Sequence, residues 1–122
     1  MLGSGFIGRF YTDSLHGYRN KDRVVSIYSR REESAKKFAK DYNVPHWTIN
    51  MEESISHKEV DVVCISLPNN LHEEAVHLCC KHNKAVICTK PLGRNAEEAK
   101  RMVEAVEKAG IFAGYLEDLC YT

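Results

Sequence analysis

The six residues Gly3-Ser4-Gly5-Phe6-Ile7-Gly8 constrain this 122-residue chain more than any other stretch. They read G-x-G-x-x-G, the turn that lets a strand run into a helix while a dinucleotide pyrophosphate sits between them. The first glycine makes the tight turn, the second lets phosphate approach bare backbone, and the third lets helix and strand pack closely. The phosphate is then held by N–H groups that the first helical turn leaves without partners, here those of Phe6 and Ile7, aided by the helix dipole. Glycine-rich turns are common, so the pattern gains its meaning from what surrounds it. A strand should precede it, yet only Met1 and Leu2 do. A βαβ unit should follow, and one does.

After the glycines, Phe6, Ile7, Phe10, Tyr11 and Leu15 fall at helical spacing, with Gly17 as a stop. Arg23–Ser29 is a strand-like run of β-branched and aromatic residues. Ala35, Phe38, Ala39 and Tyr42 define a second helix, Pro45 ends that unit, and Trp47-Thr48-Ile49 is a short strand. Asn50, Asn70 and Asn95 are each followed three residues later by glutamate (Glu53, Glu73, Glu98), the spacing of a capping box. Three helix starts are thereby marked. The helix from Asn70 should bury Leu71, Ala75, Leu78 and Cys79. The helix from Asn95 should bury Ala99, Met102, Val103 and Val106 and stop at Gly110. Between these starts lie Val60–Leu67 and Ala85–Cys88, apolar runs suited to a parallel sheet covered on both faces, and Ile111–Tyr115 is a last strand. Alternation of this kind predicts an α/β fold, a Rossmann-type doubly wound parallel sheet with right-handed crossovers.

Composition narrows the function. A chain of this length is one domain and can bury about two-thirds of its unfolded surface. Lysine plus arginine and aspartate plus glutamate number 17 each, so no bulk field draws the chain to nucleic acid or to an anionic membrane. No apolar run approaches the roughly 20 residues a bilayer requires, and no signal peptide opens the chain. The five cysteines are odd in number and form no C-x-x-C pair, which suits free thiols in a reducing cytoplasm.

In this order the motifs resemble the N-terminal nucleotide-binding domain of the Gfo/Idh/MocA oxidoreductases, the glucose–fructose oxidoreductase and inositol dehydrogenase family. The resemblance rests on Gly3–Gly8, on Ser29-Arg30 after the second strand, on Leu67-Pro68-Asn69-Asn70-Leu71-His72, and on Thr89-Lys90-Pro91-Leu92, and it covers nearly the whole chain. It implies hydride transfer between a nicotinamide cofactor and a carbinol of a sugar, polyol or related small molecule. It also implies a longer first strand and a large second α/β domain. On that ground the chain reads as truncated in its first strand and lacking the C-terminal substrate and dimerisation domain, able to bind cofactor without turnover. The whole protein would be a cytoplasmic homo-oligomer.

The resemblance also assigns roles. Lys90, in the family's Glu-Lys-Pro position with Thr89 replacing the glutamate, would lie beside the nicotinamide and steady a developing alkoxide or relay a proton. The ordinary alternative is a solvated loop lysine. Ser29 stands where NAD-specific members carry an acid for the ribose hydroxyls. With Arg30 and Arg31 beside it, a 2′-phosphate would be welcome, so NADP(H) is favoured and NAD(H) remains open. Against this, Ser29-x-x-Glu32 is itself a capping box, and both readings can hold together. Ser66, Leu67, Pro68, Asn69 and Asn70 would close a strand facing the cofactor with Pro91 nearby. His72 would support that loop or lie on the helix surface. Glu117 and Asp118 would face the nicotinamide or lie solvated. His77, Cys79, Cys80 and His82 crowd one helix, but their i,i+3 pairs point apart, so no metal is expected. The competing class is a non-catalytic nucleotide-sensing module that signals through a protein partner.

Overall fold

Helices and parallel strands alternate along the chain in a computed structural model that describes residues 1–17, 22–90 and 92–116. They fall into two units, Met1–Val60 and Asp61–Thr122. Together they give the parallel α/β, Rossmann-like arrangement that the alternation predicts.

The first unit contains α1 (Phe6–Gly17), β1 (Ser26–Tyr28), α2 (Glu32–Tyr42), β2 (His46–Thr48) and α3 (Met51–Ser56). β1 runs parallel to β2 with Ser26 opposite His46. On its other side Leu2 bridges Tyr28 in parallel, through Gly3 N–H to Tyr28 O at 2.9 Å and Tyr28 N–H to Met1 O at 3.0 Å. β1 is shorter than Arg23–Ser29 because the Val24 N–H donates to the His16 ring rather than to a neighbouring strand. The core gathers Leu2, Ile27, Ala35, Phe38 and Ile55. The periodic residues of α2 pack as expected, and Asn43, in the left-handed conformation at φ 54°, closes the helix before Pro45.

α1 spans the predicted residues but turns a different face inward. Its buried residues are Gly8 and Thr12, while Phe6 is 80% and Phe10 54% exposed. Only small side chains fit where α1 approaches the backbone of the glycine turn, so the apolar residues are displaced outward.

The second unit contains β3 (Val62–Ile65), a 3₁₀ turn (Asn69–Leu71), α4 (His72–Lys81), β4 (Ala85–Thr89), α5 (Ala96–Ala109) and β5 (Ala113–Leu116). The order β3-β4-β5 is parallel throughout, with Ile65 opposite Cys88 and Cys88 opposite Tyr115. Val63, Ile65, Val86 and Cys88 share one face of the sheet and are buried, as are Ala75, Val76 and Cys79 of α4. Val62 on the other face is exposed, so β3 is not apolar-buried along its whole length.

The three asparagine signals divide. Asn50 and Asn95 are true N-caps, accepting from Glu53 N–H at 3.1 Å and Glu98 N–H at 2.8 Å. Neither glutamate reaches back. Glu53 engages His46 and Thr48, and Glu98 engages Arg94. Asn70 caps nothing: it lies inside the 3₁₀ turn that follows Pro68, α4 begins two residues later, and the Glu73 carboxylate pairs with Arg101 instead. In α5 the inward pair is Glu98 and Met102. Ala99 and Val106 are half-buried and Val103 is exposed, because Arg94 satisfies the Glu98 carboxylate and permits its burial.

Candidate functional site

Each glycine of the turn has its own physical reason. Gly3 sits at φ 104°, where side-chain-bearing residues are strained. A Cβ on Gly8 would collide with the Gly3 carbonyl oxygen and stand 3.2 Å from its carbon. A Cβ on Gly5 would meet nothing within 4 Å. The first and third glycines are thus required by the fold of the turn itself. The second is not: its open space is what a close-approaching phosphate would occupy, beside the first-turn amides that an α-helix leaves without intrahelical partners. These residues fit a pyrophosphate.

At the carboxyl end of β1, the Ser4 hydroxyl donates to the Ser29 hydroxyl at 3.0 Å. Ser29 is buried and does not cap α2. The residue at the cap is Arg31, extended at φ −105° and ψ 131°, with no side-chain bond to the helix. The capping-box alternative for Ser29 is therefore corrected, since the helix starts two residues too late and the hydroxyl is engaged by Ser4. Arg30 and Arg31 are exposed, and among the described residues neither guanidinium makes an ion pair. Two free cations beside a bonded hydroxyl pair can receive an anion.

In the second unit, Ser66 and Lys90 follow β3 and β4 at the same carboxyl edge, the edge at which open α/β sheets take ligands. Ser66, Leu67 and Asn69 are half-buried; Pro68 and Asn70 are exposed. Lys90 is exposed, and among the described residues its amine has no partner. Thr89 beside it is buried. Pro91, Glu117 and Asp118 lie outside the described residues.

His72 is 0% exposed, which corrects the surface-histidine alternative. Its Nε2 faces Leu67 O at 2.9 Å and its Nδ1 faces Leu92 O at 3.1 Å, with Cys88 Sγ 3.3 Å from Nδ1. A neutral ring has one N–H and satisfies one carbonyl at a time; the protonated ring donates to both. Burial pushes the Cys88 thiol up to about 12, so the ring's third neighbour is neutral. One side chain thus touches the turn after β3 and the turn after β4. The sequence carried no sign of the contact between His72 and Leu92, twenty residues away.

Two other clusters have different roles. Ser26 Oγ lies 2.7 Å from His46 Nδ1, and His46 Nε2 lies 3.1 Å from Glu53 Oε1, the connectivity of a nucleophile triad. Ser26 is 1% exposed and also bonded to Ser54 at 2.7 Å, so the network is a joint between β1, β2 and α3. On α4, Cys79 is buried with its thiol pushed up to about 12 by burial, and His77 faces Glu73 at 3.4 Å. Among the described residues no three histidine, cysteine or acidic side chains come together to hold a metal, and no helix is long and apolar enough to cross a membrane.

Residues 1–115 match the GFO_IDH_MocA family, described as an oxidoreductase family with an NAD-binding Rossmann fold. The chain is 34% identical over 113 residues to trans-1,2-dihydrobenzene-1,2-diol dehydrogenase of Bos taurus, covering 92% of this chain and 34% of that protein. It is 34% identical over 89 residues to scyllo-inositol 2-dehydrogenase (NADP(+)) of Bacillus subtilis, covering 73% of this chain and 27% of that protein. The crystal structure of an NAD binding oxidoreductase from Klebsiella pneumoniae superposes with a TM-score of 0.88 at 25% identity, covering 99% of this chain and 34% of that one. The chain spans about a third of the length of these relatives.

Proposed function

The chain belongs to the Gfo/Idh/MocA oxidoreductase family as its NAD-binding domain, and from that premise we propose that it holds NADP(H) for hydride exchange with a secondary alcohol of a small diol, polyol or sugar. The cofactor reading is carried by one arrangement: Ser29 bonded to Ser4 beside two arginines that make no ion pair among the described residues, next to a glycine turn with an open second position. A carboxylate in place of Ser29 would repel a 2′-phosphate; a hydroxyl and two guanidinium groups attract one. The substrate class is supported by relatives named for a diol and an inositol.

When bound, the nicotinamide supplies or accepts the hydride. The Gly3–Gly8 turn and the first amides of α1 would hold the pyrophosphate, and the turn from Ser66 to His72 would face the cofactor. On oxidation the Lys90 amine, with no partner of its own among the described residues, would accept the carbinol O–H proton; on reduction the ammonium would return that proton to the carbonyl oxygen as negative charge develops there. With Thr89 in place of a glutamate, no carboxylate at that position competes for the amine. The rest of the substrate wall belongs to a further domain of the whole protein.

A turnover assay of the whole protein tests this reading. NADP+ should be reduced with trans-1,2-dihydrobenzene-1,2-diol or scyllo-inositol as donor. Tight NADP+ binding without reduction by any member of a diol and polyol panel would favour the nucleotide-sensing module instead.

A further inference from the structure

We propose that Glu98 and His72 are positioning residues: they clamp the turn between β4 and α5 and thereby set where the Lys90 amine stands. The proposal rests on the reading of Lys90 given above. Thr89 is the last residue of β4 and is held in the ladder opposite Leu116. Leu92 O is held by the His72 ring at 3.1 Å. Lys90 therefore directly follows one fixed residue, Thr89, and stands two positions before another, Leu92.

The second anchor is Glu98, in the first turn of α5 and only 1% exposed. Burying a carboxylate is costly unless it is hydrogen-bonded, and among the described residues this one is bonded to the turn. Oε2 accepts from Arg94 Nε–H at 3.0 Å and Oε1 from the Arg94 backbone N–H at 3.4 Å. The turn is also pressed against α5, since a Cβ on Gly93 would stand 2.8 Å from Ala99 N. If Glu98 served only to start α5, its backbone N–H on Asn95 would suffice; a buried carboxylate aimed at Arg94 is needed to hold the turn. The other ring nitrogen of His72 lies 2.9 Å from Leu67 O, so the same buried ring stands between the Lys90 turn and the turn proposed to line the cofactor.

The test uses the whole protein, NADP+, and the diol or polyol it oxidises best. In Glu98→Gln, hydrogen exchange of the amides of residues 92–95 should accelerate by about tenfold or more, while amides of β3 and β4 stay protected. kcat should fall by about tenfold with the NADP+ Kd within about twofold, because the loss is of alignment and not of cofactor binding. In a Lys90→Met background the same substitution should cost nothing further, the signature of two residues acting through one group. Arg94→Ala, which removes a side chain that is 58% exposed, should give a smaller loss of the same kind and guards against misfolding of the Glu98 variant. Unchanged exchange in both variants, or an equal fall in kcat with and without Lys90, would overturn the proposal. Wild-type turnover in Lys90→Met alone would instead remove the lysine from the chemistry and take its positioning residues with it, whatever the exchange shows.

Discussion

The Ser4 hydroxyl donates to the Ser29 hydroxyl at 3.0 Å, joining the glycine turn to the residue that follows β1 across 25 positions of sequence. The pair couples the residue between the first two glycines to the residue that faces Arg30 and Arg31 in sequence. The turn that would hold the pyrophosphate is thereby bonded to the residue that would meet the ribose 2′-position, so cofactor choice should respond to the side chain at position 29. Ser29→Asp should weaken NADP+ binding by about tenfold or more through like-charge repulsion, while NAD+ binding is kept or improved. Competition titrations check this, and an unaltered NADP+ Kd would place the 2′-phosphate elsewhere.

Gly5 and Gly8 should separate binding from folding. Gly8→Ala forces a Cβ onto the Gly3 carbonyl and should destabilise by about 1–3 kcal/mol, seen as a melting temperature several degrees lower. Gly5→Ala meets open space, so melting should barely move, yet dinucleotide affinity should fall by about tenfold or more as the methyl fills the phosphate's place. Calorimetric melts and titrations of both variants make the comparison. Equal effects of the two on melting would contradict the division of labour.

Lys90→Met in the whole protein should lower kcat by about a hundredfold or more while leaving the NADP+ Kd nearly intact. Steady-state kinetics alongside calorimetry decide it. Near-normal turnover would make Lys90 a solvated loop residue.

A bidentate contact links α4 and α5: Arg101 Nε to Glu73 Oε2 at 2.7 Å and Nη2 to Oε1 at 3.1 Å. The Arg101 guanidinium holds the Glu73 carboxyl down from 4.5 to about 2. Because the folded-state value lies below the unfolded one, the stabilisation is fully present above pH 4.5 and is lost as pH falls towards about 2. Glu73→Gln should therefore unfold more easily than the parent near neutrality, and the difference should close across that acid window. Denaturant midpoints measured at several pH values test it; a difference independent of pH would mean that the loss is not one of charge.

Much of the fold was legible because its signals are local. The glycine spacing, the apolar stripe of α2, and Asn50 and Asn95 as caps each depend on residues within a turn or two, and all reappear. What failed was decided by distant partners. Asn70-x-x-Glu73 matches a capping box, but Pro68 starts a 3₁₀ turn and Arg101, 28 residues away, takes the carboxylate. Ser29-x-x-Glu32 fails because Ser4 takes the hydroxyl. The same limit hid the burial of His72 and Glu98. Polar residues enter a core when loops brought by the fold supply their acceptors and donors, and no periodicity records those. Phe6 and Phe10 show the converse: helical spacing marks a face, but the close approach of Gly8 to Gly3 decides which face turns inward.

If the phosphate sites of this NADP(H)-binding oxidoreductase domain are the Gly3–Gly8 turn and Ser29 with its arginines, paired calorimetric titrations of the whole protein with NADP+ and NAD+ will show it. The titrations should show one site, with NADP+ bound more tightly by about tenfold or more, the yield of a charge-assisted phosphate contact, and with that advantage abolished in Arg30→Ala/Arg31→Ala. Tighter binding of NAD+, or an NADP+ preference that survives loss of both arginines, would contradict it.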